Sequence, residues 1–497
     1  MWQNLGKIIG SDLSNNDPAL IDCVDFDNPR TYTFSDIDNQ ADACARGLVK
    51  RGLAKGDCVA ILSINRAEYL IAYLGIMRAG MVAVPLNYKL ATETLHFILQ
   101  DCNAKFALVD GPRQQELPPA TPSVRLDSAE WKAFLDPGAF DTVAPADDTC
   151  AMILYTSGST GRPKGVKLSH RGHIWTLTSR LLHRRDLSGE RMIIAAPMFH
   201  MNALGNCKFA LAGHACIVLL PNFQTRQFIA AIDRHRVTWI TSVPTMMAMV
   251  VSETEALSQI KTAQVKFIRM GSAPATQQLY RSVQAAFPNA TLAGGYGTTE
   301  AGPIVFGPTG GRKLPNDGGL GWPLPEVEVR LVDENGADAS EGVLWMRTPA
   351  NMLGYLNLPE KTAQVLTNDG WYISGDLFRR DESGCYYFIG RADDMFNCGG
   401  ENIWPGEVEQ VIEHIPEVMQ ACVVPINDDV KGQKPVAFVV RHQGKQITEE
   451  EIKRFVLAHA PAYQHPRRVF FLDALPLAAT NKIDRKQLIQ RAEANVK

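Results

Sequence analysis

"YTSGSTGRPKGVKLSH", residues 155–170, is the stretch on which the reading of this chain turns. The apolar run "AMILYT" leads into Ser157, Gly158, Ser159, Thr160 and Gly161, the pattern of a buried strand opening into a polar loop. Glycines let backbone N–H groups approach an anion closely, hydroxyls donate to its oxygens, and Lys164 adds a positive charge. A phosphate-gripping loop is the expectation. It is not a Walker A loop: counted from Gly158, Pro163 stands where GxxxxGK[ST] needs its second glycine and Gly165 where it needs a hydroxyl. No GxGxxG follows a strand either, so the dinucleotide fingerprint of Rossmann dehydrogenases is absent.

Around this stretch lies a chain of 497 residues, too long for one hydrophobic core. Fifty Lys and Arg against 53 Asp and Glu leave a formal net charge of −3, which offers no global attraction to nucleic acid or an anionic membrane. The opening "MWQNLGKIIGSDLSNNDPAL" meets polar and acidic residues too early for a secretory signal, and no apolar run approaches membrane-spanning length. A cytoplasmic protein acting on small molecules is expected. The ten cysteines are scattered without a CxxC pair and are read as reduced, mostly buried small hydrophobes.

Hydrophobic patterning gives the fold class. "TFSDIDNQADACARGLVKRGL" has helical spacing, with Ser35 as N-cap and Gly52 as stop. Strand-like "CVAILSI", helical "AEYLIAYLGIMRAG" and strand-like "MVAVPL" follow, and the alternation continues through "KFALVD", "RMIIAAP", "ACIVLLP", "VTWITSVP" and "VKFIRMGS". Strands that are apolar throughout are buried on both faces, so an α/β architecture with helix-covered sheets is predicted. After about residue 315, alternating strands flank Asn335-Gly336, a hairpin signal, and a small antiparallel, β-barrel-like subdomain is expected. Beyond residue 393, "EVEQVIEHI", "ACVVPI", "PVAFVV", "TEEEIKRFVLAHA" with Thr448 as cap, and "RRVFFL" predict a small α+β domain.

The opening stretch resembles the "YTSGSTGxPKGV" signature of the adenylate-forming enzymes, the superfamily of acyl-CoA synthetases, peptide-synthetase adenylation domains and firefly luciferase. "YGTTE" at 296–300, "GWYISGD" at 370–376, "GRADDMFNCGGENIWPGEVE" at 390–409 and "NKIDRKQL" at 481–488 resemble that family's later motifs in the same order. The resemblance implies a large N-terminal domain, residues 1–392, joined by a hinge at Asp393 to a mobile C-terminal domain, residues 393–497. It also implies two half-reactions: a carboxylate displaces pyrophosphate from ATP, then a thiol displaces AMP.

Residue roles follow from the same resemblance. Thr156 to Lys164 would hold the β- and γ-phosphates, and Glu300 would ligate Mg²⁺ beside Thr299 at the α-phosphate. Gly294, Gly295 and Tyr296 would flank the adenine, with Gly297 and Thr298 continuing the nucleotide wall; Asp376 would accept from the ribose hydroxyls, and Arg391 would bind the ribose or phosphate region. Lys482 would stabilise charge during adenylation, although Asn481 replaces the glycine that usually precedes it. Rotation about Asp393 would withdraw Lys482 and bring Gly399 and Gly400 over the site to line a pantetheine tunnel.

His200 in "APMFHMNALG" resembles the gate that screens the adenylate from the thiol channel in acyl- and aryl-CoA ligases. No Asp lies between residues 187 and 232 to pair with a substrate ammonium, so an acid without an amino group is expected. Pocket positions implied by the resemblance are Met201, Asn202, Asn206, Val243, Gly271 and Gly295, a mixture that suits a small acid, short-chain, branched, hydroxylated or monocyclic. The chain stops at Lys497 without a fused carrier domain, so the acceptor is expected in trans, with coenzyme A the natural candidate and a separate carrier protein the alternative. A non-catalytic nucleotide-binding protein is the remaining alternative. The expected partners are ATP, Mg²⁺, CoA and a small acid, with a homodimer allowed.

Overall fold

A computed structural model describes every residue except Met1, 11–14, 157–161, 183–185, 274, 310–311, 316–317, 479–481 and 496–497. Two seven-stranded sheets dominate residues up to Tyr355. The first runs, edge to edge, Thr291–Gly295, Phe267–Gly271, Trp239–Ser242, Arg191–Ile194, Cys216–Leu219, Pro18–Asp22, Arg30–Thr33, with only the last pair antiparallel. The second runs Gly354–Tyr355, Lys164–Ser169, Cys150–Thr156, Val82–Pro85, Cys58–Leu62, Phe106–Val109, Ser123–Arg125. Its parallel strands give way to antiparallel pairs at the end that carries the phosphate-loop strands.

The largest core cluster joins the two sheets through the helices Phe34–Lys50, Ala67–Arg78, His170–Leu181 and Met201–Ala212. Ala67–Arg78 is buried on every face, which is why its sequence shows apolar residues all round rather than a stripe. The first helix starts two residues earlier than expected. Thr33, not Ser35, is its N-cap, because Thr33 and Asp36 form a capping box, whereas Asp38, three residues after Ser35, is engaged by Lys7 and Arg78.

The β-rich subdomain is an open antiparallel sheet, Glu328–Val332, Glu341–Arg347, Tyr372–Arg380, Tyr386–Arg391, and no pairing closes it into a barrel among the described residues. The expected hairpin is present, with Gly336 at φ +80°. In the C-terminal part, Gly432–Arg441 pairs antiparallel with Val418–Asp428 and parallel with Arg468–Phe471. Helices Pro405–Glu413 and Glu449–His459 cover that sheet, and Thr448 caps the second through a capping box with Glu451. No described helix is long and apolar enough to cross a membrane.

Candidate active site

The strands Cys150–Thr156 and Lys164–Ser169 pair antiparallel, which sets Thr156 opposite Lys164. Ser157, Gly158, Ser159, Thr160 and Gly161, the expected phosphate grip, lie outside the described residues. Gly354–Tyr355 adds to the Lys164 strand and brings in a side chain that the sequence did not single out. The Lys164 ammonium sits over the Tyr355 ring, 4.4 Å from its centroid, and donates to the phenol oxygen over 3.4 Å. That phenol donates to Oε1 of Glu300 over 3.0 Å. Burial, and then the Glu300 charge, raise the Tyr355 pKa well above the ordinary tyrosine range, so the hydroxyl keeps its proton and remains a donor.

Glu300 ends a tight turn that follows the strand Thr291–Gly295. Thr298 N–H donates to Gly302 O over 3.0 Å, the Thr298 hydroxyl accepts from Ala301 N–H over 2.9 Å, and Met352 N–H donates to Glu300 O over 2.6 Å. Gly297 is required here, because a Cβ would run into the Gly302 and Pro303 carbonyls. Thr299 lies half-buried on the same turn. Gly294 and Gly295 form the strand end just before it.

Tyr296 turns its ring into a cluster with Phe306, Phe378 and Phe388, and its hydroxyl donates to Asp376 Oδ2 over 2.5 Å. The other Asp376 oxygen faces Arg391 at 3.3 Å, and the same guanidinium grips Asp393 at 2.7 Å. Strand register sets the first pair, with Asp376 directly opposite Arg391. Asp376 is buried, and loss of hydration raises its pKa despite the opposing Arg391 charge and Tyr296 hydrogen bond. Burial works against the Arg391 charge, but the bond to Asp393 and the Asp376 charge outweigh it and hold the guanidinium protonated. One cation thus joins the expected ribose acceptor to the expected hinge residue.

Lys482 is tied back by the Leu477–Ile483 bridge and by the Ala478 N–H donating to Lys482 O over 2.7 Å. Asn481 is outside the described residues. Part of the Lys482 side chain is open to solvent, yet the ammonium is crowded enough that loss of hydration lowers its pKa, with Asp376 opposing and Arg391 adding to the effect. Its charge also reaches His200. His200 precedes the helix Met201–Ala212, its ring 4.4 Å from that of Phe199, with a buried Nε2 that has no hydrogen-bond partner among the described residues. Burial, then the charges of Lys482 and Lys89, push His200 down to about 3, so the ring is neutral at physiological pH.

Four of the expected pocket residues, Asn202, Asn206, Gly271 and Gly295, are joined by hydrogen bonds and strand pairing. Met201, Asn202 and Asn206 lie on one helix, and Asn206 donates to both oxygens of Asn202 at 2.8 and 2.9 Å. Asn202 donates to the Ser272 hydroxyl over 3.2 Å, next to Gly271, whose strand pairs with that of Gly295. Val243 is buried ahead of the helix Pro244–Ser252. Two cations that sequence reading missed also reach this region: Arg180 donates to Asn206 Oδ1, and Arg269 packs against Gly295. The signal for Arg269 was available, a charged residue inside the otherwise apolar "FIRMG".

Gly399 and Gly400, at φ +65° and +96°, form the turn between the strands Phe396–Cys398 and Glu401–Ile403. Both are exposed and touch none of the residues around Glu300 and Asp376. The neighbouring Cys398 is buried. This arrangement therefore presents Lys482, and not the glycine turn, to Asp376 and His200.

Residues 12–356 match the AMP-binding enzyme family and residues 407–482 the AMP-binding enzyme C-terminal domain. A 4-coumarate--CoA ligase 1 of Solanum tuberosum is 29% identical over 511 residues, covering 97% of this chain and 92% of the relative. The anthranilate CoA ligase AuaEII in complex with anthranoyl-AMP superposes with a TM-score of 0.88 at 25% identity, over 99% of this chain and 97% of the other. ATP-bound MatB from Rhodopseudomonas palustris gives 0.89 at 26% identity over the whole of both chains, and its apo form gives 0.79. A family match over residues 12–356, with its C-terminal companion over 407–482, makes this chain a member of the AMP-binding enzyme family.

Proposed function

We propose that this site activates a small carboxylic acid with ATP and passes it to coenzyme A. The chain is an ATP-dependent acid:CoA ligase that works through an acyl-adenylate. A carboxylate oxygen bonds to the α-phosphorus as the bond to the pyrophosphate leaving group breaks. The CoA sulfur then bonds to the acyl carbon, the acyl–phosphate bond breaks, AMP leaves with the bonding pair, and the thiol proton is released.

The observation that carries the residue assignments is that Lys482, from the last part of the chain, comes within electrostatic reach of Asp376, Arg391 and His200, beside the Asp376–Arg391 pair that strand register sets. Asp376 is oriented by Tyr296 and Arg391 to accept from ribose hydroxyls. Lys482 approaches the acid and the α-phosphate and stabilises charge that develops between them. Lys164 and Thr156 bind the phosphate tail. Neutral His200 stands between the acid pocket and the thiol approach. Gly399 and Gly400 reach the site after rotation about Asp393.

Glu300 suits Mg²⁺: it is a hard oxygen donor with one oxygen fixed by Tyr355, beside Lys164, with phosphates to complete the shell. When bound, the ion would neutralise phosphate charge. Thr299 is positioned on the same turn to contact the α-phosphate.

The test is a panel of carboxylic acids incubated with ATP, Mg²⁺ and CoA, scored for AMP, pyrophosphate and thioester. AMP and acyl-CoA in equal amounts with a small acid is the expected result. Pyrophosphate without a CoA thioester, relieved by a carrier protein, would replace CoA as the acceptor, and faster turnover of palmitate than of any small acid would remove the small-acid assignment.

A further inference from the structure

Arg180 and Arg269 are unused by the chemistry above, and their surroundings are unusual. Both guanidiniums lie deep in protein while part of each side chain stays open, the combination expected of groups lining an internal cleft. Their charges sense one another. Neither has a carboxylate partner among the described residues. Arg180 is held by neutral groups only: it donates to Asn206 Oδ1 over 2.9 Å and Gly205 O over 3.3 Å, and stacks over Phe209 at 3.8 Å. Arg269 reaches one acceptor, Pro303 O at 3.4 Å.

Contrast with Arg78 shows what is missing. Arg78 is fully buried too, and it is held by Asp38 and Asp42 at 2.5 Å each. This chain thus supplies counter-ions where a buried guanidinium serves structure. At Arg180 and Arg269 it supplies amides and carbonyls, which fix the direction of the guanidinium fork while leaving its charge uncompensated.

Their position identifies what completes them. Arg269 occupies the strand Phe267–Gly271 two residues before Gly271, on the same face, and its guanidinium fills the place where a Cβ of Gly295 would stand. Arg180 is bonded to Asn206, which is bonded to Asn202, which is bonded to Ser272. Pro303, next to Arg269, also faces Gly205. The two cations therefore border the acid pocket at Gly271, Gly295 and Asn206.

We propose that the acid activated here is a dicarboxylic acid, whose second, unreacted carboxylate is held between Arg180 and Arg269 while the first is adenylated beside Lys482. This deepens the ligase reading and rests on it. A carboxylate matches the planar donor fork of arginine and separates two like charges that otherwise repel. Burial pushes Arg269 down to about 10, still far above neutrality, so at physiological pH it needs an anion.

The experiment compares AMP formation from malonate, succinate, glutarate and phthalate with that from their half-methyl esters and from hydroxybenzoic and cinnamic acids. At least one diacid is expected to exceed its own half-ester by about a hundredfold in kcat/KM, because an unfilled cationic site rejects a ligand lacking its charge. Arg269→Met and Arg180→Met should each erase most of that preference, through KM for the diacid, while KM for ATP and the melting temperature stay near wild type. Higher turnover of monoacids, or a diacid preference that survives both substitutions, overturns the proposal and leaves the ligase reading standing. Absence of AMP with every acid removes the ligase reading itself, and the proposal with it. Should either variant fail to fold, the ester comparison on the wild-type enzyme decides.

Discussion

The Tyr355 hydroxyl donates to Oε1 of Glu300 over 3.0 Å, and the Tyr355 phenol oxygen itself accepts from Lys164 over 3.4 Å. A phenol thus stands between the expected phosphate lysine and the expected metal carboxylate. It fixes one Glu300 oxygen and holds the Lys164 ammonium over its ring, so the two groups proposed to meet the phosphate tail, from distant segments, are held in one geometry.

Tyr355→Phe tests this relay. The ring remains, so packing is preserved and stability should fall by only about 1 kcal/mol. Loss of the hydroxyl frees the Glu300 oxygen, and kcat/KM for Mg·ATP should drop by roughly tenfold or more, with a higher Mg²⁺ concentration needed for half-maximal rate. Steady-state rates titrated with Mg²⁺ at fixed ATP read this directly. An unchanged Mg²⁺ dependence would mean that Tyr355 only packs.

Lys482→Ala separates the two half-reactions. Acyl-adenylate formation, measured by pyrophosphate release, should fall by about 10²–10³-fold, because a charge aimed at the developing transition state is lost. Thioester formation from supplied acyl-adenylate and CoA should stay near the wild-type rate, since the proposed rotation about Asp393 withdraws the lysine for that step. Equal loss in both steps contradicts the role given to Lys482.

How much of this was legible from the residues alone differs by kind of feature. Runs such as "RMIIAAP" and "VTWITSVP" announced buried parallel strands, and Thr448 with Glu451 announced a helix start, because burial on two faces and capping leave local marks. Glu300, Asp376 and Arg391 stood out through their motifs. Tyr355 did not, since "LGYLN" looks like any strand end; its role arises only when Gly354–Tyr355 pairs with the Lys164 strand. Arg180 was hidden for the same reason, and Arg269, although visible as a charge within an apolar strand, gave no sign of which groups would surround it. Thr33 displaced Ser35 because both are good caps, and the position of Asp36 decides between them.

His200 should not titrate during catalysis. Its pKa of about 3 lies far below the ordinary value of 6.5, so the ring is neutral at every pH where the enzyme works. His200→Phe keeps an aromatic gate without a titratable nitrogen, and its pH profile of kcat/KM should overlay that of wild type from about pH 5 to 8. His200→Ala opens the gate: AMP production should exceed acyl-CoA production at limiting CoA as exposed adenylate hydrolyses. A limb near neutrality that vanishes in His200→Phe would show the ring to be an acid or base instead.

Lys208 is a charge inside the core, 1% exposed, with its ammonium 3.4 Å from His173 Nδ1 and no carboxylate partner among the described residues. Burial lowers its pKa from 10.5 to about 7, Cys207 opposing and the nearby Arg180 adding to the fall. Between those two values the unfolded chain holds a proton that the folded chain has released, so wild-type stability rises with pH across the window and the penalty is complete below about pH 7. Lys208→Met fills nearly the same volume without a charge. It should raise stability by about 1–4 kcal/mol at or below neutral pH, and the gain should shrink as pH climbs toward the ordinary lysine value. Denaturant unfolding of both proteins across the window measures the two slopes. A Met variant less stable than wild type at neutral pH would mean that the ammonium is held by more than His173, and that the lysine is part of the fold's design rather than a strain on it.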